Sequence, residues 1–136
     1  MEMVRAAYRR TGLQAEVAAF LYDMGPRLRA ADLVVCRSGA TTLAEIAAIG
    51  RAAILIPLPT ATDDHQRRNA EALASAGAAQ VLLQQDATAT ELAGRIGRLA
   101  RDPDARRRMA QAARALAKPD AARLIVDRAL ALVEAG

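Results

Sequence analysis

The sequence predicts an α/β fold in which helices cover a parallel β-sheet, followed by a helical carboxyl-terminal tail. Short apolar runs alternate with helical patterns of roughly ten residues, which is typical of β-α-β units. The runs at 33–36 and 53–57 are apolar almost without interruption, as expected of parallel strands buried on both faces. After the last apolar run, which ends at Leu83, only helical patterns remain.

Helices are predicted where apolar residues recur at helical spacing, as Val4, Ala7 and Tyr8 do in the first of them. Glycines at positions 12, 50 and 77 end three of these patterns, because glycine readily adopts the left-handed conformation that closes a helix. Prolines at 103 and 119 separate the last three predicted helices from one another. The predicted helices are 2–10, 26–30, 42–49, 65–76, 90–101, 104–116 and 121–134, and the predicted strands are 16–20, 33–36, 53–57 and 80–83.

The composition indicates one domain built around small side chains. The chain has 136 residues, of which 53% are hydrophobic but only 2% aromatic, so we expect a core of Ala, Leu, Val and Ile. No apolar run is long enough for a transmembrane helix, and the first residues form an amphipathic helical pattern instead of a signal peptide. The single Cys36 is compatible with a reducing cytosol.

The net charge of +4 is unevenly distributed. Between Arg95 and Lys118 there are eight basic residues and two acidic ones. Such a segment binds nucleic acid or anionic lipid, or is simply the solvated face of a helix. Because no aromatic residues lie among the arginines, we expect no base-stacking surface and no nucleic-acid partner.

Ligands of open parallel sheets bind beyond the carboxyl ends of the strands, where the loops 21–24, 37–42 and 57–69 are expected. The segment 32–45, DLVVCRSGATTLAE, predicts a strand, a tight turn at Ser38 and Gly39, and a helix. The free N–H groups and positive dipole end of that helix would hold an anion such as phosphate. The Glu45 carboxylate would accept hydrogen bonds from a sugar hydroxyl. Alternatively, Thr42 and Glu45 form a capping box.

Two further features lie in the predicted ligand loops. In the segment 63–69, DDHQRRN, three polar side chains share one helix face and would suit sugar hydroxyls, namely His65, Gln66 and Asn69. The alternative is that Asp63 caps the helix and the others are solvated. Phe20, the only phenylalanine, ends a predicted strand and either packs on a flat nucleobase or belongs to the core. No metal-ligand spacing and no Ser–His or Cys–His pair is present.

Taken together, several segments resemble the donor-binding domain of the MurG family, glycosyltransferase family 28. The segments are FLYDM at 20–24, ADLVVCRSGATTLAEI at 31–46, IPLP at 56–59, DDHQ with a following NA at 63–70, and residues 110–122. The resemblance covers nearly the whole chain, and its specificity lies in the joint occurrence and order of these motifs. Enzymes of this family transfer N-acetylglucosamine (GlcNAc) from UDP-GlcNAc to lipid I, forming lipid II in peptidoglycan synthesis.

The resemblance implies a Rossmann-like sheet that is the truncated carboxyl-terminal domain of a glycosyltransferase-B fold. It implies an inverting, metal-independent transferase with no cofactor besides its donor substrate. It also implies the substrate-binding roles: the uracil pocket at Phe20, Leu21 and Met24; the diphosphate site at Ser38, Gly39, Ala40, Thr41 and Thr42; the ribose contact at Glu45; and the GlcNAc contacts at His65, Gln66 and Asn69. The family favours leucine at position 41, but threonine keeps the backbone N–H.

The family enzymes are much longer than this chain, so the resemblance implies that several parts are absent. The acceptor domain, with its catalytic base, lipid I site and membrane-facing patch, is not matched, nor are the first strands of the donor domain. In the family those strands lie between the strand at Val17 and the one at Leu33. We therefore expect an open sheet edge at 33–36, which is costly unless the chain closes up or associates.

Alone, the chain is expected to lack transferase activity and to need the missing half or a partner chain. The full-length enzyme is expected to be cytoplasmic and peripheral on the inner membrane. Two alternatives keep the same fold. One is a donor-binding subunit, or a non-catalytic nucleotide-sugar module, of a two-chain transferase. The other is a different UDP-sugar glycolipid transferase.

Overall fold

The computed structural model describes residues 2–60 and 64–117. The predicted helix at 121–134, and with it Asp63 and Lys118, lies outside the described residues. The elements in chain order are α1 (Glu2–Thr11), α2 (Met24–Ala30), β1 (Leu33–Cys36), α3 (Ala40–Ile49), β2 (Ala52–Leu55), α4 (His65–Ser75), β3 (Gln80–Val81), a 3-10 turn (Gln84–Asp86), α5 (Ala89–Ala100) and α6 (Pro103–Leu116).

The three strands form a parallel sheet in the order β1-β2-β3, which confirms the predicted fold class. β1 pairs with β2 from Leu33 opposite Ala52 to Cys36 opposite Leu55. All four residues of β2 are buried, because β2 is the central strand and helices cover both of its faces. The apolar run at 53–57 therefore marks the centre of the sheet.

Alternate residues of β2 feed two separate apolar clusters. Ala53 and Leu55 face a cluster completed by α3, α4 and α6, including Leu43, Ile46, Leu73 and Ala113. Ala52 and Ile54 face the opposite cluster, completed by Leu82, Leu99 and Met109. The buried members of both clusters are Ala, Leu, Ile and one Met, which confirms the expected core except for valine, since Val34 and Val81 are only partly buried against it.

Helix α6 connects the two layers of the fold. Its Met109 belongs to the cluster that contains Leu99 of α5, whereas its Ala113, one turn later, is fully buried in the cluster under α3. Farther along, the stem of Arg114 covers Gly50, which ends α3 in the left-handed conformation with φ of 75°. Because α6 contacts both faces, its position fixes the helices of one layer relative to the other.

The strand predicted at 16–20 is wrong. Residues 12–20 form neither strand nor helix, and most of them are exposed. A strand persists only when its backbone groups pair with a neighbour, and no described residue offers 16–20 a partner. The alternative that Phe20 belongs to the core is wrong as well, because 67% of this residue is exposed.

The open sheet edge expected at 33–36 is confirmed for the described part of the chain, where β1 pairs with β2 alone. Val35 of β1 remains 39% exposed although it lies in an apolar strand. Helix α1 likewise buries none of its residues. None of the helices within residues 2–60 and 64–117 combines the length and the apolar character that a membrane-spanning helix requires.

We predict that Gly50→Ala destabilises the protein more than Gly77→Ala. Both glycines have φ near 75°, so either alanine costs about 1–2 kcal/mol of backbone strain. A Cβ on Gly77 meets no atom within 4 Å, whereas a Cβ on Gly50 overlaps the Cγ of Arg114 and adds about 1–3 kcal/mol. Urea denaturation of both variants measures the difference, and equal losses would show that α6 does not pack tightly on Gly50.

Candidate functional site

The amino terminus of α3 carries backbone N–H groups that no side chain caps. The helix begins at Ala40, directly after β1 and its short loop, with Gly39 in the N-cap position and no side-chain hydrogen bond there. The first bond of the helix runs from the Leu43 N–H to the Gly39 carbonyl, at 3.0 Å. The N–H groups of residues 40–42 therefore have no partner within the helix and face the carboxyl edge of the sheet.

This geometry contradicts the capping-box alternative. Thr42 is the third residue of α3 and cannot act as its N-cap, which is Gly39. The Glu45 side chain is exposed and has no hydrogen bond or ion pair within the described residues. Glu45 therefore contributes no cap to α3.

Behind the start of α3, Ser38 and Gln66 form a reciprocal contact between two loops. Ser38 is fully buried, and its Oγ donates to the Gln66 carbonyl oxygen at 2.7 Å. The Gln66 side-chain Oε1 accepts from the Ser38 N–H at 3.3 Å and from the Leu58 N–H at 2.9 Å. One side chain on α4 thus joins the loops that follow β1 and β2.

The same contact determines which end of the Gln66 amide faces the ligand edge. Both partners of Oε1 are N–H donors, so the oxygen must point towards them and the NH₂ group must point away. Its Nε2 lies 3.9 Å from where a Cβ on Gly39 would stand. The amide donor therefore lies beside the uncapped start of α3.

Arg37 adds a second connection between the loops. Its Nη1 donates to the carbonyl oxygens of Ile56 and Pro57, at 3.3 and 3.5 Å. No motif in the sequence predicts this role. The role of the Leu58 N–H was foreseeable, because the prolines on either side of it have no N–H, and Leu58 carries the only donor of the segment 57–59.

Helix α4 presents the three polar residues predicted to share a face. His65 is its first residue, followed by Gln66 and, one turn later, by Asn69, and all three are half-buried. Asp64 occupies the N-cap position without a side-chain capping bond, whereas Asp63 lies outside the described residues. The capping role proposed for Asp63 stays a prediction.

The segment that precedes α2 is held by ion pairs. Arg27 binds both oxygens of Glu16, at 2.7 and 2.9 Å, and its Nε donates to Asp23 at 2.7 Å. Hydrogen bonds from this guanidinium lower the pKa of both carboxyl groups. Between these anchors, the rings of Phe20 and Tyr22 lie 4.6 Å apart.

The structure brings together only part of the predicted site. Ser38, Gly39 and Gln66 are in contact, and the start of α3 continues from them. Leu21 is half-buried, whereas Met24, the first residue of α2, is exposed. Among the described residues, no hydrogen bond connects 20–24 with the loop at 38–42.

Catalysis by the thiol of Cys36 is not supported. Burial raises the pKa of this thiol, which keeps it protonated and weakly nucleophilic at neutral pH. Within residues 2–60 and 64–117, no three His, Cys, Asp or Glu side chains are grouped as metal ligands would be. The uncapped start of α3 and the amide donor of Gln66 are instead suited to binding an anion that carries a polar group.

Comparison with known proteins gives concordant results. The family profile described as the glycosyltransferase family 28 C-terminal domain matches residues 1–125. The transferase from Trichlorobacter lovleyi named UDP-N-acetylglucosamine–N-acetylmuramyl-(pentapeptide) pyrophosphoryl-undecaprenol N-acetylglucosamine transferase is 48% identical over 130 residues, covering 96% of this chain and 34% of the relative. The enzyme of the same name from Azotobacter vinelandii is 52% identical over 120 residues, covering 88% of this chain and 34% of that enzyme.

A solved structure shares the fold. The crystal structure of MurG from Acinetobacter baumannii superimposes with a TM-score of 0.78 at 38% sequence identity, covering 93% of this chain and 37% of that one. The chain thus spans about a third of the length of the relatives that it matches.

We predict that Gln66→Ala lowers the free energy of unfolding by about 1–3 kcal/mol, because it leaves two backbone N–H groups without their acceptor. Amide hydrogen exchange at Ser38 and Leu58 is expected to accelerate. Gln66→Glu keeps an acceptor oxygen and should retain most of the stability. Gln85→Ala, which removes an exposed amide, is the control. If Gln66→Ala and Gln85→Ala behave alike, the contact does not hold the loops.

We predict that Arg27→Gln raises the pKa of Glu16 and Asp23 towards their ordinary values of 4.5 and 3.8. Since both pKa values are lowered in the folded chain, the ion pairs stabilise it above those ordinary values and are lost as the pH falls through the lowered ones. NMR titration of the carboxyl groups measures this, with Arg10→Gln as the control. Unchanged pKa values in Arg27→Gln would contradict the assignment.

Proposed function

The chain belongs to glycosyltransferase family 28, whose carboxyl-terminal domain it matches, and on that premise we propose that it binds UDP-GlcNAc at the carboxyl edge of β1 and β2. The observation that carries the proposal is the start of α3, which lacks a side-chain cap and lies beside the amide donor of Gln66. A helix terminus of this kind favours a negatively charged ligand.

The diphosphate binds at the start of α3 in this proposal. The N–H groups of Ala40, Thr41 and Thr42 donate to its oxygens, and the two threonine hydroxyls add further donors. These donors and the helix dipole also stabilise the negative charge that develops on UDP as the sugar leaves. The buried Ser38 has a different part, because its hydroxyl is already bonded to Gln66 and holds the loop in place.

The ribose and the uracil of the nucleoside are bound by two different segments. The exposed Glu45, one turn into the helix, accepts hydrogen bonds from the ribose hydroxyls, and nothing in the capping of α3 competes for its carboxylate. The uracil ring lies against Phe20, with the backbone of Leu21 reading its edge and Met24 lining the pocket. The exposure of Phe20 supports this assignment, since its ring is available to a ligand.

The sugar is recognised from α4. His65, Gln66 and Asn69 contact the GlcNAc hydroxyls, and Gln66 does so as a donor, because its oxygen is bonded to Ser38 and Leu58. Sugar hydroxyl oxygens accept such hydrogen bonds. The proposal needs no metal ion and no cofactor besides the donor substrate.

We further propose that the chain is the donor part of an inverting transferase that moves GlcNAc to the 4-hydroxyl of lipid I, forming lipid II for peptidoglycan. The acceptor site, the catalytic base and the membrane contact belong to the part of the enzyme that this chain does not match, and the reaction takes place on the cytoplasmic face of the membrane. The exposed edge of β1 favours such a two-part assembly, whether the other part lies in the same chain or in a second one.

We predict that Glu45→Ala weakens binding of UDP-GlcNAc about tenfold or more, the usual effect of losing hydrogen bonds to a charged group. The free energy of unfolding should hardly change, because Glu45 is exposed and caps nothing. Isothermal titration calorimetry measures the affinity, and urea denaturation measures the stability.

The control is Glu2→Ala, which removes an exposed carboxylate from the first turn of α1, a helix that buries none of its residues. It should leave the affinity for UDP-GlcNAc unchanged. The proposal fails if the unsubstituted chain gives no heat of binding with UDP-GlcNAc, or if Glu45→Ala binds as tightly as the control.

A further inference from the structure

A second concave site lies at the opposite edge of the sheet from the donor loops. It is a cavity of about 230 Å³ beside the amino ends of β1 and β2, closed on one side by the first turns of α6. Four arginines and one carboxylate line it, together with small apolar residues; the charged residues are Arg29, Asp32, Arg51, Arg106 and Arg107. Nothing in the proposed donor site uses these residues.

Two of the four arginines are fixed in place by the ends of helices. Arg51 donates to the carbonyl oxygens of Leu28 and Arg29, at 3.0 and 2.5 Å, where α2 ends. Arg106 donates to the carbonyl oxygens of Leu99 and Ala100, both at 2.7 Å, where α5 ends. Both guanidiniums are only half-exposed, so the cavity wall carries positive charge in a fixed geometry.

The other two arginines remain available at the rim. Arg29 is exposed, and its guanidinium has no acceptor among residues 2–60 and 64–117. Arg107 pairs with Asp104, but both side chains are 68% exposed, so solvent screens that pair. Asp32 alone does not balance the positive charge of the lining.

We propose that this cavity binds a phosphate-type oxyanion. Guanidinium groups bind tetrahedral oxyanions through paired N–H donors, and a concave wall with two fixed and two exposed guanidiniums supplies such donors from several directions. The bound anion contacts α2, α6 and the amino ends of two strands at once. It therefore stabilises the folded chain as well. The anion is either free phosphate or the phosphate of an anionic lipid headgroup.

The test is a calorimetric titration of the full chain with inorganic phosphate at constant ionic strength. The double variant Arg29→Gln/Arg107→Gln removes the two rim guanidiniums and should weaken binding about tenfold or more. The matched control is Arg98→Gln/Arg108→Gln, which removes the same charge from exposed positions of α5 and α6 outside the cavity. This control should bind phosphate like the unsubstituted chain.

Two outcomes overturn the proposal: no phosphate binding, or equal affinities of the two double variants for phosphate. Equal affinities would mean that phosphate binds elsewhere, for example at the start of α3, which leaves the proposed donor site intact. Conversely, a failure of UDP-GlcNAc to bind to the chain leaves the comparison of the double variants valid.

A second arm distinguishes the sources of the anion. Cosedimentation with vesicles of equal parts phosphatidylglycerol and phosphatidylcholine is compared for the same three proteins. Vesicle binding that depends on Arg29 and Arg107 supports the headgroup, and phosphate binding with no such dependence on vesicles supports the free anion.

Discussion

The hydrogen bonds between Ser38 and Gln66 are the constraint on which the carboxyl edge of the sheet depends. β1 and β2 both end at this edge, so the hydrogen bonds between the strands do not extend to the loops that follow them. Gln66 connects these loops instead, because its side-chain oxygen accepts from the N–H of Ser38 in one loop and of Leu58 in the other. Because Ser38 is fully buried, losing its acceptor would leave a polar group without water or partner. The position of α3 relative to α4 follows from this contact.

Much of the fold is predictable from the sequence because its signals are local. The continuous apolar runs at 33–36 and 53–57 identify strands buried between helices, the second of which the structure places at Ala52–Leu55, and the glycines at 50 and 77 mark helix ends with positive φ. The strand predicted at 16–20 fails because a strand requires a partner, which the segment's own residues do not encode. Sequence patterns thus predict burial more reliably than pairing.

In the candidate site, too, local features are predictable from the sequence, whereas contacts between distant segments are not. The glycine-containing turn before α3 is visible in the sequence, but Thr42 and Glu45 also match a capping box, and the local pattern does not decide between them. The structure decides between them, because α3 begins at Ala40 with Gly39 as its N-cap, directly after Ser38, which is bonded to Gln66 28 residues away. The role of Arg51 is likewise not encoded locally. Arginine is usually a solvated surface residue, yet Arg51 donates a hydrogen bond to the carbonyl oxygen of Leu28, 23 residues earlier. Contacts of this kind depend on the completed fold.

The order of the strands in the sheet has a consequence for how the protein is made. β1, β2 and β3 are adjacent in the sheet in the same order as in the chain. Each strand pairing therefore closes a short chain segment that contains a single helix. The conformational entropy lost when such a segment is closed is small. The sheet is therefore able to assemble strand by strand while the ribosome is still adding residues. Helix α6 is the exception, since it contacts both layers and is synthesised after both. Until it leaves the exit tunnel, the nascent domain has its strands in register but lacks the helix that joins its two faces.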